Sequence, residues 1–269
     1  MDLNEFDFRR ITDYMLTNYG INLENKSTLI NGRLSNLVLR SDFKSIHEYV
    51  EYALNDRTGE ELSRLVSKLT TNYTFFMREP QHYDYLEKTA LPELLEKSSF
   101  GDVKLWSAGC SSGEEPYSIA MTVKRILESR NSKWTAEILA TDISDKVLQL
   151  ARAAAYEEMQ LKMLGPEVRK KYFTVLPDGT FQVSEDLRKM VRLEKFNLMN
   201  DFSRYYHKFD IIFCRNVMIY FKNDKREELV RRFYDALKPG GYLFVGSSET
   251  LHGVEARFKF VKPAIYRKL

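Results

Sequence analysis

The segment Leu105-Trp-Ser-Ala-Gly-Cys-Ser-Ser-Gly-Glu-Glu-Pro-Tyr-Ser118 limits the folds open to this chain more than any other stretch. An apolar strand runs into a turn of small residues and straight on into a helix, the unit from which open α/β sheets are built. Gly109 and Gly113 let backbone approach a ligand where a Cβ would collide, and the turn delivers that ligand to a helix N-terminus. A second apolar strand, Ala136-Glu-Ile-Leu-Ala-Thr-Asp142, ends in a carboxylate where ribose hydroxyls need an acceptor. The interval from Gly113 to Asp142 exceeds the roughly 20 residues usual in dinucleotide folds, so the intervening helix is long or has a loop after it. Two glycines alone say little. The turn together with the carboxylate-ended strand is the pattern of a nucleotide-like cofactor site.

Strands and helices keep alternating on the C-terminal side. The pattern predicts a strand over Lys104–Ala108, a helix over Glu115–Ser129, a strand over Ala136–Asp142 and a helix over Asp145–Ala154. Phe209–Cys214 and Gly241–Gly246 continue the set around the amphipathic helix Lys225–Leu237, which implies a parallel sheet. Phe258-Lys-Phe-Val and Ala264-Ile-Tyr-Arg-Lys suit an antiparallel edge. Tyr172–Val183 reads as two short strands around a Pro-Asp-Gly turn, a hairpin inserted between sheet units. Before all this, Phe6 to about Leu91 lacks strand alternation and repeats apolar residues at helical spacing, as in Ile46, Tyr49, Val50 and Ala53. Ser41-Asp42 and Asn55-Asp-Arg-Thr-Gly59 punctuate its helices, while Lys88–Pro92 and Lys97–Gly101 read as the passage onward. The expected division is an all-α domain over 1–90 and an α/β domain over 91–269, with the hairpin insertion at about 170–195.

Bulk properties narrow the function. With 269 residues, 43% of them hydrophobic, the chain can bury a real core. No apolar run reaches the ~18 residues of a membrane span, and the start Met1-Asp-Leu-Asn-Glu-Phe-Asp7 has no signal-peptide pattern, so a cytoplasmic location is expected. The 2 cysteines, Cys110 and Cys214, lack metal-ligand spacing, so no metal site is expected. Basic and acidic residues nearly balance, 41 against 38, which argues against general affinity for nucleic acid.

Beyond these two strands, further motifs occur in order: Thr70-Thr-Asn-Tyr-Thr-Phe-Phe-Met-Arg-Glu79, Ala140-Thr-Asp-Ile-Ser144, Phe196-Asn-Leu198 and Phe213-Cys-Arg-Asn-Val-Met-Ile-Tyr-Phe221. Together they resemble the CheR family of chemotaxis-receptor glutamate methyltransferases over nearly the whole chain. The resemblance implies a Rossmann-like S-adenosylmethionine-dependent domain behind a helical receptor-recognition domain. It also implies S-adenosylmethionine as methyl donor, S-adenosylhomocysteine as product, and glutamate side chains in the helical region of methyl-accepting chemoreceptors as acceptors.

The same resemblance assigns site residues. Asn72, Thr74 and Arg78 reach over the methionine end of the cofactor. Gly109 lies against it, Glu115 and Asp142 supply carboxylates, and Asn197 and Leu198 flank the adenine. Arg215 and Asn216 follow a strand at its carboxyl end, where open sheets bind ligands. Arg78 and Tyr220 are the catalytic candidates, orienting an acceptor carboxylate that is already ionised near neutral pH. The strand before the turn ends without the acidic residue many related methyltransferases carry there. In the second helix, read as Leu23–Leu39, Lys26, Arg33 and Arg40 fall two turns apart and form a basic stripe, of which Lys26 and Arg33 match the family's receptor-binding pattern. Solvated helix charge is the competing account. Some members tether a receptor pentapeptide through a longer hairpin loop. The short loop Thr174–Thr180, with Gly179 alone, argues against that here. A nucleic-acid methyltransferase would need an Asn/Asp-Pro-Pro-Tyr/Phe run, which is missing. A non-catalytic cofactor-sensing module is the rival from another class.

Overall fold

The computed structural model describes residues 2–96, 101–130, 133–251 and 257–269. The chain opens with four helices, α1 (Glu5–Tyr19), α2 (Ser27–Val38), α3 (Ile46–Leu54) and α4 (Glu60–Leu69). Asn4 caps α1 by accepting the Asp7 N–H, and Ser45 caps α3 by accepting from Glu48. The expected apolar face of α3 is buried as a unit: Ile46, Tyr49, Val50 and Ala53 are 0–2% exposed and pack with Ile30, Leu34, Leu65 and Val66. Each of the branched aliphatic side chains among them contributes on the order of 1.5–3 kcal/mol. Gly20 ends α1 in the left-handed region at φ 70°, and a Cβ there would stand 2.8 Å from Met199 Sδ and Phe221 Cδ1. The helical bundle therefore meets the rest of the chain across a glycine.

Packing changes partner at Leu69 rather than near residue 90. Phe76 is fully buried against Tyr156 and Phe173. The run α5 (Pro80–Tyr85), a π turn over Leu86–Ala90, and α6 (Leu91–Leu95) buries Tyr83, Leu86, Leu91 and Leu94 in the core of the sheet. Lys88–Pro92, expected as a passage, is helical: Pro92 cannot donate to the carbonyl four residues back, and the helix widens into the π turn instead of breaking. Of the other expected passage, Lys97–Phe100 lies outside the described residues.

The α/β part runs β1 (Asp102–Ala108), α7 (Glu114–Ser129), β2 (Thr135–Asp142), α8 (Asp145–Ala153), β3 (Ala155–Tyr156), α9 (Pro166–Tyr172), β4 (Phe173–Val175), β5 (Phe181–Val183), α10 (Glu185–Met190), β6 (Val191–Lys195), β7 (Phe209–Cys214), α11 (Asn223–Ala236), β8 (Leu237–Val245), β9 (Phe258–Lys262) and β10 (Ile265–Lys268). The main sheet has the order β6-β2-β1-β7-β8-β10-β9. Its first five strands are parallel, and β10 runs antiparallel between β8 and the edge strand β9. This is the Rossmann-like sheet expected, with the long helix α7 filling the interval from Gly113 to Asp142. The order reverses between β1 and β7, which opens a crevice at their carboxyl ends.

The hairpin forms where expected, β4 and β5 closing on Leu176–Thr180 with Gly179 at φ 84°. It is smaller than the 170–195 anticipated on one side and larger on the other. Strand β3 joins it as a third strand, and Val191–Lys195 leaves it to pair with β2 as an edge of the main sheet. Among the described residues no helix is long and apolar enough to cross a membrane.

Candidate active site

Trp106 fixes the end of β1. Its ring is fully buried among Phe202, Tyr205 and Phe209, with centroids 4.9–5.1 Å away, and its Nε1 donates to Thr141 Oγ1 at 2.9 Å. The Thr141 carbonyl then accepts from the N–H of both Gly109 and Cys110, at 2.8 and 2.9 Å, so the glycine turn is anchored to β2 before it meets any ligand. Gly109 and Gly113 both take positive φ, 86° and 99°, and a Cβ on Gly113 would lie 2.7 Å from the Tyr156 hydroxyl.

Asp142 closes β2 as a carboxylate only 8% exposed. Its Oδ2 accepts from Ser111 N at 2.9 Å and its Oδ1 from Ser144 N at 3.0 Å. Burial pushes this carboxyl above its usual range, and those N–H groups pull against it. Ser111 also donates its hydroxyl to the Asn72 carbonyl at 2.9 Å, which ties the linker after α4 to the same turn. Glu115, in the first turn of α7, reaches back to β1, where its Oε1 accepts from Ser107 Oγ at 2.7 Å. A carboxylate therefore reaches the end of β1 after all, supplied by the helix instead of the strand. Burial raises the Glu115 carboxyl, and the Arg215 guanidinium, Nε 3.4 Å away, opposes the rise. Glu114, next to it, turns to Ser112 and Gln160 instead.

Arg215 is 6% exposed and serves as a hub. It donates to the Arg78 carbonyl and, at 3.4 Å, to the Tyr83 hydroxyl, and its Nε lies 3.7 Å from Glu79. Glu79 holds a left-handed φ of 58° and also accepts from Ser247 N at 3.2 Å. Arg78 is thus released from the ion pair with its neighbour that a surface role would suggest. Its guanidinium donates to the Tyr73 carbonyl at 3.0 Å and sits 5.9 and 5.8 Å from the Tyr73 and Phe75 ring centres.

These groups surround one cavity of roughly 400 Å³, within the usual range for a small-molecule site. Arg78, Asn72 and Thr74 line it from the linker, Gly109 from the turn after β1, Glu115 from the start of α7 and Asp142 from the end of β2. Asn197 and Leu198, Arg215 and Asn216, and Tyr220 complete the sheet side. Asn197 donates to the Asn18 carbonyl of α1 at 2.7 Å, and the Tyr220 carbonyl accepts from Asn22 N at 2.8 Å, so helical bundle and sheet share the site. Tyr19 and Ile21, which sequence reasoning did not single out, line it from α1 and the residues after it. Exposed Tyr73, Leu29 and Ile219 line it too and mark its mouth.

The basic stripe does not form as drawn. Helix α2 begins at Ser27, one residue after Lys26, and ends at Val38, before Arg40. Lys26 is exposed and lines the cavity, whereas Arg33 is half-buried and spends its guanidinium on the carbonyls of Lys68, Leu69 and Thr70 at 2.9–3.2 Å. Two further residues of consequence were given no role from the sequence: Glu79, which closes the Thr70–Glu79 motif, and Glu249, which lies outside every motif.

Residues 7–70 match the profile of the CheR methyltransferase all-alpha domain, and residues 72–267 that of the CheR methyltransferase SAM binding domain. A chemotaxis protein methyltransferase of Borreliella burgdorferi is 41% identical over 272 residues, covering 100% of this chain and 96% of its own. A probable chemotaxis protein methyltransferase of Rhizobium etli is 38% identical, covering 88% of this chain and 89% of its own. Chemotaxis protein methyltransferase 1 of Vibrio cholerae is 34% identical, covering 99% and 98%.

Proposed function

The chain belongs to the CheR methyltransferase family, and on that premise we propose that it is a protein-glutamate O-methyltransferase acting on the cytoplasmic helical region of methyl-accepting chemoreceptors. The family fixes the coarser statement: this is an S-adenosylmethionine-dependent methyltransferase of chemotaxis.

The lining suits that cofactor. Two carboxylates, half-buried Glu115 and buried Asp142, stand with apolar and aromatic walls, a set of acceptors that accommodates the amino group and ribose of an aminoacyl nucleoside beside surroundings that suit a weakly hydrated sulfonium. Bound there, S-adenosylmethionine supplies an electrophilic methyl on a positively charged sulfur. Asp142 would accept from the ribose hydroxyls, Glu115 would hold the methionine end with Asn72 and Thr74, and Asn197 and Leu198 would flank the adenine.

The acceptor carboxylate is ionised near neutral pH, so no strong base is required and alignment dominates the rate. Arg78 neutralises and orients that carboxylate, and the Tyr220 hydroxyl donates to it. The observation that carries this reading is that Arg78 and Tyr220 line the same cavity as Asp142 and Glu115, next to the exposed mouth residues Tyr73 and Ile219. The hairpin turn is tight, with Leu176 N bonded to Thr180 O at 2.8 Å, which supports receptor recognition at the cavity mouth instead of through a tethered tail.

The test uses the purified chain, S-adenosylmethionine labelled in the methyl group, and membranes carrying receptors of the same organism. Label released as methanol by base marks carboxyl methyl esters and is the expected result. Cofactor binding by calorimetry with no base-labile label would overturn glutamate methylation in favour of a sensing module.

A further inference from the structure

We propose that Glu249 is a positioning residue for methyl transfer, its buried carboxylate clamping the turn that carries Asn216 and Tyr220 into the cavity. The inference rests on the reading of the site given above. Glu249 follows β8 and is 4% exposed. Its Oε2 accepts from the N–H of Asn216 at 2.8 Å and of Gly246 at 2.6 Å, while its Oε1 accepts from Ile219 N at 3.1 Å. One carboxylate therefore holds both ends of the turn after β7 and ties them to the end of β8.

The turn needs such a hold. Asn216 sits in the left-handed region at φ 58°, a conformation that costs about 1 kcal/mol or more unless its surroundings impose it. Ile219 opens directly onto the cavity mouth and precedes Tyr220, so freedom at its N–H passes to the tyrosine ring. Gly246 makes room for the clamp: a Cβ there would fall 2.7 Å from Glu249 Oε2 and 2.8 Å from Asn216 N. Only a carboxylate offers acceptors on both tips of the side chain. A glutamine of the same shape would turn an NH2 toward a backbone N–H and leave at least one buried donor unsatisfied.

Glu249 touches neither cofactor nor acceptor on this geometry, so its effect should fall on alignment. Asp142 and Glu115, on other elements, keep their grip on the cofactor. The full-length protein and its Glu249→Gln and Glu249→Asp variants would be compared for kcat, for affinity toward S-adenosylhomocysteine, for melting temperature and for amide exchange in residues 214–221. Glu249→Gln should lower kcat by about 10-fold or more while changing product affinity less than about 3-fold. Exchange over 214–221 should accelerate while that over 105–115 does not. Glu249→Asp, which keeps both oxygens, should recover part of kcat. Unchanged kcat and exchange would overturn the proposal. So would a parallel fall of kcat, affinity and melting temperature, which would make Glu249 a general prop of the fold. If the wild-type protein esterifies no receptor carboxylate, glutamate methylation fails by itself, and the exchange comparison still decides whether the clamp exists.

Discussion

The sheet wall and the helical wall of the cavity face the same space with different kinds of side chain. On the sheet wall the charged groups are bonded into the protein before a ligand arrives: Asp142 to Ser111 and Ser144, Glu115 to Ser107, Arg215 to Arg78 and Tyr83. The helical wall offers Tyr19, Ile21, Leu23 and Leu29, joined to the sheet through the Asn22–Tyr220 and Asn197–Asn18 hydrogen bonds and the exposed Lys222–Glu24 pair. The first wall is preorganised and carries the electrostatics, while the second covers. Preorganised polar groups cost no reorganisation when they engage a ligand, so the larger share of cofactor affinity should come from the sheet.

The comparison breaks most easily at Asp142. Asp142→Asn removes the charge and turns an amide toward one of two backbone N–H groups. Cofactor affinity should fall by about 100-fold or more, the equivalent of two charge-assisted hydrogen bonds. Tyr19→Ala on the helical wall should cost less than about 10-fold, the scale of lost apolar contact. Calorimetry on both variants decides it. Equal losses would mean that the two walls share the cofactor evenly.

A second test probes what lies under the sheet wall. His82 is fully buried beside Glu79 and Arg215, and desolvation, with the Arg215 charge adding to it, lowers its pKa to about 4. The folded value lies below the unfolded one, so between about 6.5 and 4 the unfolded chain binds more protons and stability falls as pH drops through that window. Glu115 and Glu249, whose carboxyls burial raises, act in the opposite sense, giving up stability as pH rises from their unfolded value. His82→Phe removes the first contribution and keeps the edge-on contact with Phe244 at 5.7 Å. The wild type should lose on the order of 1–3 kcal/mol more than the variant between pH 7 and 5. Melting curves that fall together in both proteins would show that His82 is not the group responsible.

How far the sequence could be read follows the same division. The sheet wall was legible because its chemistry sits in local runs: the glycine turn, the strand ending at Asp142, and the stretch from Arg215 to Tyr220. Gly109, Ser111, Asp142, Arg215, Asn216 and Tyr220 from these runs line one cavity. Residues acting from a distance were not legible. Glu249 holds a turn some 30 positions away, and Tyr19 reaches the cavity only because Gly20 lets α1 approach Phe221. The division near residue 90 was misread because the helices over 80–95 are amphipathic like those before them, and nothing local says that their apolar face meets a sheet. The basic stripe was misread for a related reason. Spacing predicts a shared face only where the helix runs through all three positions, and α2 excludes both Lys26 and Arg40.

The smallest expected effect separates two cations that spacing had grouped together. Arg33 donates to carbonyls in and just after the last turn of α4, where a cation also meets the negative end of the helix dipole, and to the Thr71 hydroxyl at 3.0 Å. It fixes the exit of the helical bundle into the linker that carries Asn72, Thr74 and Arg78. Arg33→Ala should therefore lower stability by roughly 1 kcal/mol or more, because half-buried carbonyls lose a charged donor. Lys26 is exposed at the cavity mouth. Lys26→Glu should leave the melting temperature nearly unchanged and raise the KM for receptor by a factor of about 3–10, an effect that shrinks with added salt because rim charges act through encounter. Charge reversal at Lys26 without any change in KM would remove it from acceptor recognition. Loss of stability there instead of at Arg33 would reverse the roles assigned to the two residues, and with them the view that the helical wall recognises at its rim and braces at its base.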